Sequence, residues 1–235
     1  MDNKKNETVS CECKSCESDF LAITGTKEFE LKICYRCFMN GMAESYLAGQ
    51  KRVMNKAVFL DRDGILNEVL STRVKFVNKP EDLYLLPGVA ESIAKLKRNG
   101  FKVFTVTNQG GIGLGYMSYE QLEKIHEKLQ SEILKLNELA VIDEIMTCAH
   151  KPKENCKCRK PEPGMLLTLA KKHNISLGDS YMVGDREVDV AAGISAGTKT
   201  VLVTNEDEPT QANLKCSTLL EAVDYILEDS KEEQK

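Results

Sequence analysis

The stretch from residue 57 to residue 64 constrains the fold of this chain most, because an uninterrupted apolar run there ends in two acids. The run Ala-Val-Phe-Leu is typical of a central parallel strand buried on both faces. Residues two apart in a strand project to the same side, so Asp61 and Asp63 should point together beyond its carboxyl end. Two carboxylates so close predict a divalent cation, and Gly64 allows a sharp turn after them. The alternative is a strand that ends in an ordinary polar turn.

Strand-like and helix-like segments alternate after this stretch, which predicts an α/β domain with a doubly wound parallel sheet and helices on both faces. The expected strands are 57–60, 101–107, 141–147, 180–183 and 199–203. The expected helices are 87–100, 118–136, 162–174, an alanine-rich segment ending at Ala196, and 219–227. Short strand pieces are expected at 74–77 and 83–86, and a disordered charged tail over 228–235. His126 and His173 are expected to be surface residues.

A separate cysteine pattern occupies the beginning of the chain, where Cys13-x-x-Cys16 is followed by Cys34-x-x-Cys37. Two such pairs, with 17 residues between them, have the spacing of a four-thiolate structural zinc site. Cys11 could take the place of Cys13. We therefore expect a small zinc-ribbon-like module with a linker helix over 1–54, and a main domain over 55–235. The module could dock a protein partner or cover the active site of the main domain.

The composition limits the classes of function. The chain has 235 residues, 29% of them charged, with a formal net charge of −4, so nucleic acid is not an expected partner. No run of eighteen apolar residues occurs, which predicts a cytoplasmic protein without a membrane span. The nine cysteines fall mainly in two clusters with metal-ligand spacing. This favours reduced thiols that bind zinc over a disulfide scaffold.

The second expected strand runs directly into a glycine-rich segment, Thr107-Asn108-Gln109-Gly110-Gly111-Ile112-Gly113. At the carboxyl edge of a parallel sheet, such a segment can turn its backbone N–H groups and the Thr107 hydroxyl toward a phosphate. A flexible turn is the alternative. A dinucleotide-binding fingerprint is disfavoured, because the glycine spacing does not match and no acid ends a following strand about 20 residues on.

The third expected strand leads into a loop with three cysteines and one histidine, namely Cys148, His150, Cys156 and Cys158. These side chains fit a closed zinc site with three sulfur ligands and one nitrogen ligand. The metal would pin a loop that cannot pack by itself, and would hold Arg159 and Lys160 at the edge of the sheet. Alternatively, these two cations belong to a solvated basic run.

The ends of the expected strands converge at one edge of the sheet. That edge would hold three acids for a hard cation, Asp61, Asp63 and Asp185, and three candidates for anion binding, Thr107, Arg159 and Lys160. Carboxylates that hold Mg²⁺ opposite groups that bind phosphate indicate a phosphoryl-transfer site. No Walker-type glycine-lysine loop occurs in the sequence, so the substrate need not be a nucleotide.

The order of these motifs resembles the haloacid dehalogenase (HAD) superfamily of phosphatases. The resemblance covers residues 57 to about 203 and rests on Asp61-x-Asp63-Gly64, Thr107-Asn108-Gln109, Arg159-Lys160-Pro161 and Gly184-Asp185. Within the superfamily, the zinc loop ending in Cys-x-Cys-Arg-Lys-Pro is similar to that of the branch of heptose-bisphosphate and histidinol-phosphate phosphatases.

The resemblance implies a role for each matched position. Asp61 would be the nucleophile that forms an aspartyl-phosphate, and Asp63 would protonate the leaving oxygen and then activate water. Mg²⁺ would be held by Asp61, Asp185 and the backbone carbonyl of Asp63. Thr107 and Lys160 would bind the transferring phosphoryl group. Substrate binding would involve Asn108, Gln109, Gly110, Arg159, Lys160 and Arg186, which stands where the family often has lysine.

The sequence supports four hypotheses about function. In the first, the chain is a phosphatase whose substrate is a small phosphorylated sugar, D-glycero-D-manno-heptose 1,7-bisphosphate. The interval from His150 to Cys156 is short, as in the histidinol-phosphatase form of the loop, so histidinol phosphate comes second. The third is a polynucleotide 3'-phosphate, with the N-terminal module gripping nucleic acid. The fourth is a zinc-built binding protein on a phosphatase fold. The motif intervals leave no room for a large cap domain, so residues 65–80 and 148–160 would choose the substrate.

Overall fold

The computed structural model describes residues 8–14, 19–23, 30, 32 and 54–232, and the chain divides into two compact units, Met1–Val53 and Met54–Lys235. Three of the expected N-terminal zinc ligands, Cys16, Cys34 and Cys37, lie outside the described residues, as does the expected linker helix. The first unit contains an antiparallel hairpin of β1, Thr8–Glu12, and β2, Asp19–Ile23. Cys11 lies in β1, and Cys13 is fully buried directly after it.

The second unit is built on a six-stranded parallel sheet in the order β5-β4-β3-β6-β7-β8. The strands are β3 Ala57–Leu60, β4 Lys102–Asn108, β5 Glu144–Cys148, β6 Tyr181–Gly184, β7 Lys199–Val203 and β8 Leu214–Cys216. The helices are α1 Val89–Arg98, α2 Gly110–Gly113, α3 Tyr119–Leu136, α4 Gly164–His173, α5 Glu187–Ala196 and α6 Leu219–Glu232, with a 3-10 turn over Pro80–Asp82. This is the predicted doubly wound α/β architecture.

Helices cover both faces of the sheet because alternate residues of its central strand point in opposite directions. Val58 and Leu60 of β3 pack into an apolar cluster with α1, α3 and α6. Ala57 and Phe59 pack into a second cluster with α4 and α5. The fully apolar sequence of β3 is therefore explained by burial on both sides.

The position of β3 in the sheet locates the functional site. Strand β4 pairs with β3 on one side and β6 pairs with it on the other, so the direction of winding reverses at this strand. Such a reversal opens a crevice beyond the carboxyl ends of the strands. Residues that follow β3, β4 and β6 therefore surround one point.

Several expected element boundaries were wrong. Strand β5 begins three residues later than expected, and the short strand β8 follows the polar loop 204–213. No strand forms at 74–77 or 83–86. In the second range, Leu85 forms only an isolated β-bridge with Asn67. Within the described part of the chain, no helix is both long and apolar enough to cross a bilayer.

The charged C-terminal tail is helical as far as Glu232, contrary to the expectation of disorder from residue 228. The Tyr181 hydroxyl donates a 2.6 Å hydrogen bond to Asp229, and Lys199 Nζ lies 2.6 Å from the same carboxylate oxygen. Ile226, Leu227 and Ser230 are buried. The tail thus continues a buried helix and is attached to β6 and β7 through Asp229.

Candidate active site

Asp61 lies directly after β3 at the floor of the crevice. Its backbone N–H donates to the carbonyl of Val183 in β6 over 2.9 Å, which fixes its place between the two strands. Its Oδ1 accepts the backbone N–H of Arg62 and lies 2.8 Å from Nζ of Lys160. The side chain is almost fully buried, and it lines the cavity. Its Oδ1 is therefore held in place at the edge of the cavity.

Three carboxylates meet beside Asp61. Oxygens of Asp61, Asp185 and Asp189 lie within 4.8 Å of one another, and Oδ1 of Asp185 is buried without a hydrogen-bond partner in the described part of the chain. Asp189 was not among the predicted site residues, although it follows Asp185 by four positions at the start of α5. An all-oxygen set with an unsatisfied buried oxygen suits a hard cation such as Mg²⁺.

The acidity of these carboxylates reflects their crowding. Burial raises the pKa of Asp61 to about 7, with the Asp189 charge adding to the rise and Lys160 opposing it. Burial and the Asp189 charge raise the pKa of Asp185 to about 6 against the opposing charge of Arg186. Both ionised forms are therefore disfavoured by the protein alone, which is the condition that a bound cation relieves.

Lys160 is a buried cation beside the three carboxylates. Its Nζ lies 2.8 Å from Asp61, 2.6 Å from Asp189 and 2.8 Å from the carbonyl of Val106. Burial would lower the pKa of Lys160, but the charges of Asp61 and Asp189 outweigh it and the pKa is raised. The Asn108 side chain fixes the lysine backbone through two hydrogen bonds of 3.0 and 3.1 Å. The alternative, a solvated basic run, is therefore wrong for Lys160, which is buried inside the site.

Asp63 projects into the same cavity and is surrounded by donors. The Arg62 guanidinium contacts both carboxylate oxygens over 2.9 Å, Asn67 Nδ2 donates to Oδ1 over 2.9 Å, and Gln109 Nε2 donates to Oδ2 over 2.9 Å. Burial would raise the pKa of Asp63, but the Arg62 charge and these hydrogen bonds outweigh it, so the pKa is lowered. Gln109 also donates to the Thr107 hydroxyl over 2.9 Å, which links Asp63 to β4.

Neither histidine expected at the surface is a free surface residue. Nε2 of His126, on α3, lies 3.4 Å from Nη1 of Arg62. Burial, and then the Arg62 charge, lower the pKa of His126 to about 4. Nε2 of His173 lies 2.7 Å from Glu144, and its ring packs 4.8 Å from that of Phe104. Each histidine is a single polar residue on an amphipathic helix, and the sequence of the helix does not indicate which distant residue it contacts.

The predicted zinc ligands after β5 are brought together. The sulfur of Cys158 lies 3.4 Å from that of Cys148, 3.6 Å from that of Cys156 and 3.2 Å from Nδ1 of His150. A tetrahedral zinc site with Zn–S bonds of about 2.3 Å separates its sulfurs by about 3.8 Å. The spacing therefore fits a metal, and it is far too long for disulfide bonds.

The glycine-rich segment packs against this cysteine loop. The N–H of Gln109 donates to the carbonyl of Cys148 over 2.8 Å, and the N–H of Gly113 donates to that of Ala149 over 3.2 Å. A Cβ atom at Gly113 would stand 2.8 Å from the same Ala149 oxygen. One reason for the glycines is thus close approach to the neighbouring loop, which the sequence had not suggested.

The site opens into two adjoining cavities. The first, of about 370 Å³, is lined by most of the predicted residues, namely Asp61, Asp63, Thr107, Asn108, Lys160 and Arg186. The second, of about 290 Å³, has Gln109, Gly110, Phe76, Leu114 and Tyr116 in its wall. Arg159 borders both cavities and is held by a 3.3 Å hydrogen bond to the carbonyl of His150. A phosphoryl group and the part of the substrate attached to it can therefore occupy adjacent spaces.

The chain is similar to HAD-superfamily phosphatases in both sequence and structure. A family described as HAD-hydrolase-like matches residues 157–232. D-glycero-beta-D-manno-heptose-1,7-bisphosphate 7-phosphatase of Helicobacter pylori is 40% identical over 73% of this chain and 97% of the relative. The enzyme of the same name from Pseudomonas putida is 36% identical over 63% of this chain and 82% of the relative. The crystal structure of D,D-heptose 1,7-bisphosphate phosphatase from B. bronchiseptica with magnesium and phosphate has a TM-score of 0.65 and 30% identity, over 74% of this chain and 99% of that one.

Proposed function

The chain belongs to the D-glycero-beta-D-manno-heptose-1,7-bisphosphate 7-phosphatase family of the HAD superfamily, and we propose that it removes the 7-phosphate from D-glycero-D-manno-heptose 1,7-bisphosphate. One observation carries the proposal. The carboxylate of Asp61 lies in a cavity between a buried lysine and two further acids, and it is the first acid of the motif through which the chain resembles this superfamily. The relatives' names specify the beta anomer, which is accordingly the first to test.

Asp61 acts as the nucleophile in this proposal. All its described side-chain hydrogen bonds and ion pairs use Oδ1, so Oδ2 is free to attack phosphorus and form the aspartyl-phosphate. Lys160 orients the carboxylate and faces the phosphoryl oxygens, whose negative charge it offsets. Asp189 has a supporting role, because it holds Lys160 from the opposite side.

Asp63 is the general acid and general base in this proposal. In the first step its protonated form, the minor form of a carboxyl with a lowered pKa, protonates the leaving sugar oxygen. In the second step its ionised form takes a proton from the water that hydrolyses the aspartyl-phosphate. Asp61, Asp185 and the backbone carbonyl of Asp63 would hold Mg²⁺. Bound there, the ion would supply positive charge beside the transferring group. Arg159 and Arg186, which border the cavity, would hold the rest of the substrate.

A panel of phosphate esters tests this proposal. Phosphate release with Mg²⁺ is measured for both anomers of heptose 1,7-bisphosphate, other sugar phosphates, histidinol phosphate and a 3'-phosphorylated oligonucleotide. We expect a clear preference for the heptose bisphosphate, with release of one phosphate per molecule. A preference for another ester would contradict the substrate while keeping the chemistry, and silence across the panel from zinc-loaded protein would contradict both.

We further propose that Cys148, His150, Cys156 and Cys158 bind Zn²⁺ and hold the loop that carries Arg159 and Lys160. Cys156→Ser should remove about one zinc per chain and lower activity at least tenfold, because the loop loses its fixed shape. Elemental analysis and phosphate release measure the two effects. Cys216→Ser is the control, since Cys216 lies in β8 outside this cluster. Unchanged zinc content in Cys156→Ser would contradict the assignment.

The N-terminal unit is proposed to be a second zinc-binding module, with a domain boundary near residue 54. The support is the spacing of its cysteine pairs, together with the hairpin in which Cys13 is buried beside the end of β1. Its proposed role is to bind a protein partner. A cytoplasmic location is likewise a proposal, based on the reduced thiols that both clusters would need.

A further inference from the structure

Arg62 is the bulkiest of the fully buried side chains in the described residues, with 1% of its surface exposed. A buried guanidinium needs nearby acceptors to offset its loss of hydration. Its Nε and Nη2 donate to Asp63 over 3.1 and 2.9 Å. Its Nη1 faces Nε2 of His126 over 3.4 Å. Arg62 therefore lies between Asp63, the proposed general acid and base, and His126 on helix α3.

The contact with His126 has a defined chemistry. Guanidinium groups only donate hydrogen bonds, so a hydrogen bond between these two nitrogens requires a neutral His126 ring that carries its proton on Nδ1 and presents the lone pair of Nε2. His126 also lines an open groove between α3 and β5, formed with Gln130, Ile142 and Ile145 among others. The ring is thus half-buried, and its described hydrogen-bond contact with the site is the one with Arg62.

Asp63 needs such support because its side chain lies beyond the end of β3, where the regular sheet has ended. Asn67 and Gln109 each hold one of its oxygens, but only Arg62 contacts both oxygens and thereby defines the plane of the carboxylate. The orientation of the guanidinium plane depends in turn on Nη1, the remaining nitrogen, which contacts Nε2 of His126.

We propose that His126 is a positioning residue, which accepts a hydrogen bond from Arg62 and so fixes the plane in which Arg62 holds the Asp63 carboxylate. The inference rests on the proposed role of Asp63 in proton transfer. It predicts a defect in the two proton-transfer events, and none in the attack of Asp61 on phosphorus when the leaving group needs no proton.

The test compares His126→Gln, whose amide oxygen can occupy the place of Nε2, with His126→Asn, whose amide is too short to reach Arg62. Both are polar replacements at a half-buried position, so both should fold, and thermal unfolding checks this. Glu127→Gln is the control, because Glu127 lies on the same helix and groove without contacting Arg62.

Single turnovers with enzyme in excess and Mg²⁺ separate the steps. Release of p-nitrophenol from p-nitrophenyl phosphate reports attack by Asp61 with a leaving group that needs no acid. Phosphate release from the same ester reports hydrolysis of the aspartyl-phosphate. Phosphate release from heptose 1,7-bisphosphate depends on both proton transfers.

In His126→Asn we expect phosphate release from both esters to fall about tenfold, part of what general acid–base catalysis supplies, with p-nitrophenol release within about twofold of wild type. His126→Gln should stay within about threefold throughout, and KM should hardly change. Equal losses of p-nitrophenol and phosphate release, no loss, or equal behaviour of Asn and Gln would overturn the inference. Wild-type protein that hydrolyses only the aryl ester would contradict the proposed substrate, while phosphate release from that ester still tests His126.

Discussion

Asp61→Asn is expected to abolish phosphate release, by roughly 10⁴-fold or more, because an amide cannot attack phosphorus as a carboxylate does. The substitution keeps the shape of the side chain, and Lys160 keeps its contact with Asp189. Burial holds the pKa of Asp61 at about 7, so its ionised form is disfavoured by the fold. The variant should therefore unfold at a temperature no lower than that of wild type without Mg²⁺.

The measurement is phosphate release with Mg²⁺, together with mass spectrometry of acid-quenched protein for a phosphoryl group on Asp61. Asp143→Asn is a matched control, because it makes the same chemical change at a carboxylate that pairs with Lys97 and Lys102 outside the crevice. It should keep wild-type turnover even if stability falls. Metal-dependent activity retained in Asp61→Asn would refute the covalent mechanism.

Gly64→Ala should be nearly as damaging, although it adds only one methyl group. Gly64 has a φ of +87°, and a Cβ atom there would overlap Oδ2 and the carboxyl carbon of Asp185. Asp185 would have to leave its place beside Asp61, and a displacement of about 1 Å can cost about 100-fold in rate. We expect a loss of that size in kcat, with a weaker dependence on Mg²⁺, measured by titrating Mg²⁺ against phosphate release.

Gly197→Ala separates the collision from the cost of the backbone conformation. Gly197 ends α5 with a φ of +85°, and a Cβ atom there would meet nothing within 4 Å. Both variants should lose about 1 kcal/mol of stability from the left-handed conformation, but only Gly64→Ala should lose activity. Similar activities in the two variants would show that the approach of Gly64 to Asp185 is not needed for catalysis.

The sheet and its acids could be predicted because they depend on local rules. An apolar run that ends in Asp61 and Asp63 predicts a buried strand with carboxylates at its end, and parallel strands bring their carboxyl ends together. The same rules indicated Asp185, and the position of Lys160 directly after the cysteine loop indicated Lys160; the structure places both in the same site. Cysteine spacing likewise predicted the cluster around Cys158, because its four ligands lie close together in the sequence and can be recognised without knowing the order of the strands.

The rest depended on packing between distant segments. No role was expected for Arg62 from the sequence, and only the fold buries it against His126, 64 positions away. Asp189 is a site residue because Gly184 lets α5 approach so closely that a Cβ atom would overlap it. The C-terminal tail looked too charged to fold, but one of its charges, Asp229, pairs with Tyr181 and Lys199. No pattern within a single segment reports such pairings.

The attachment of the cysteine loop to the glycine segment has a consequence for how substrate preference can change. Asn108 and Gln109 hold the backbone at Lys160 and at Cys148, and the cluster of Cys148, His150, Cys156 and Cys158 holds the loop between them, so its anchors lie outside residues 151–155. Residues 151–155 are exposed. Insertions and replacements there can reshape the rim of the cavity while Lys160 stays in place. Variation in this interval is therefore a route by which related sequences could acquire new substrates and retain the same chemistry.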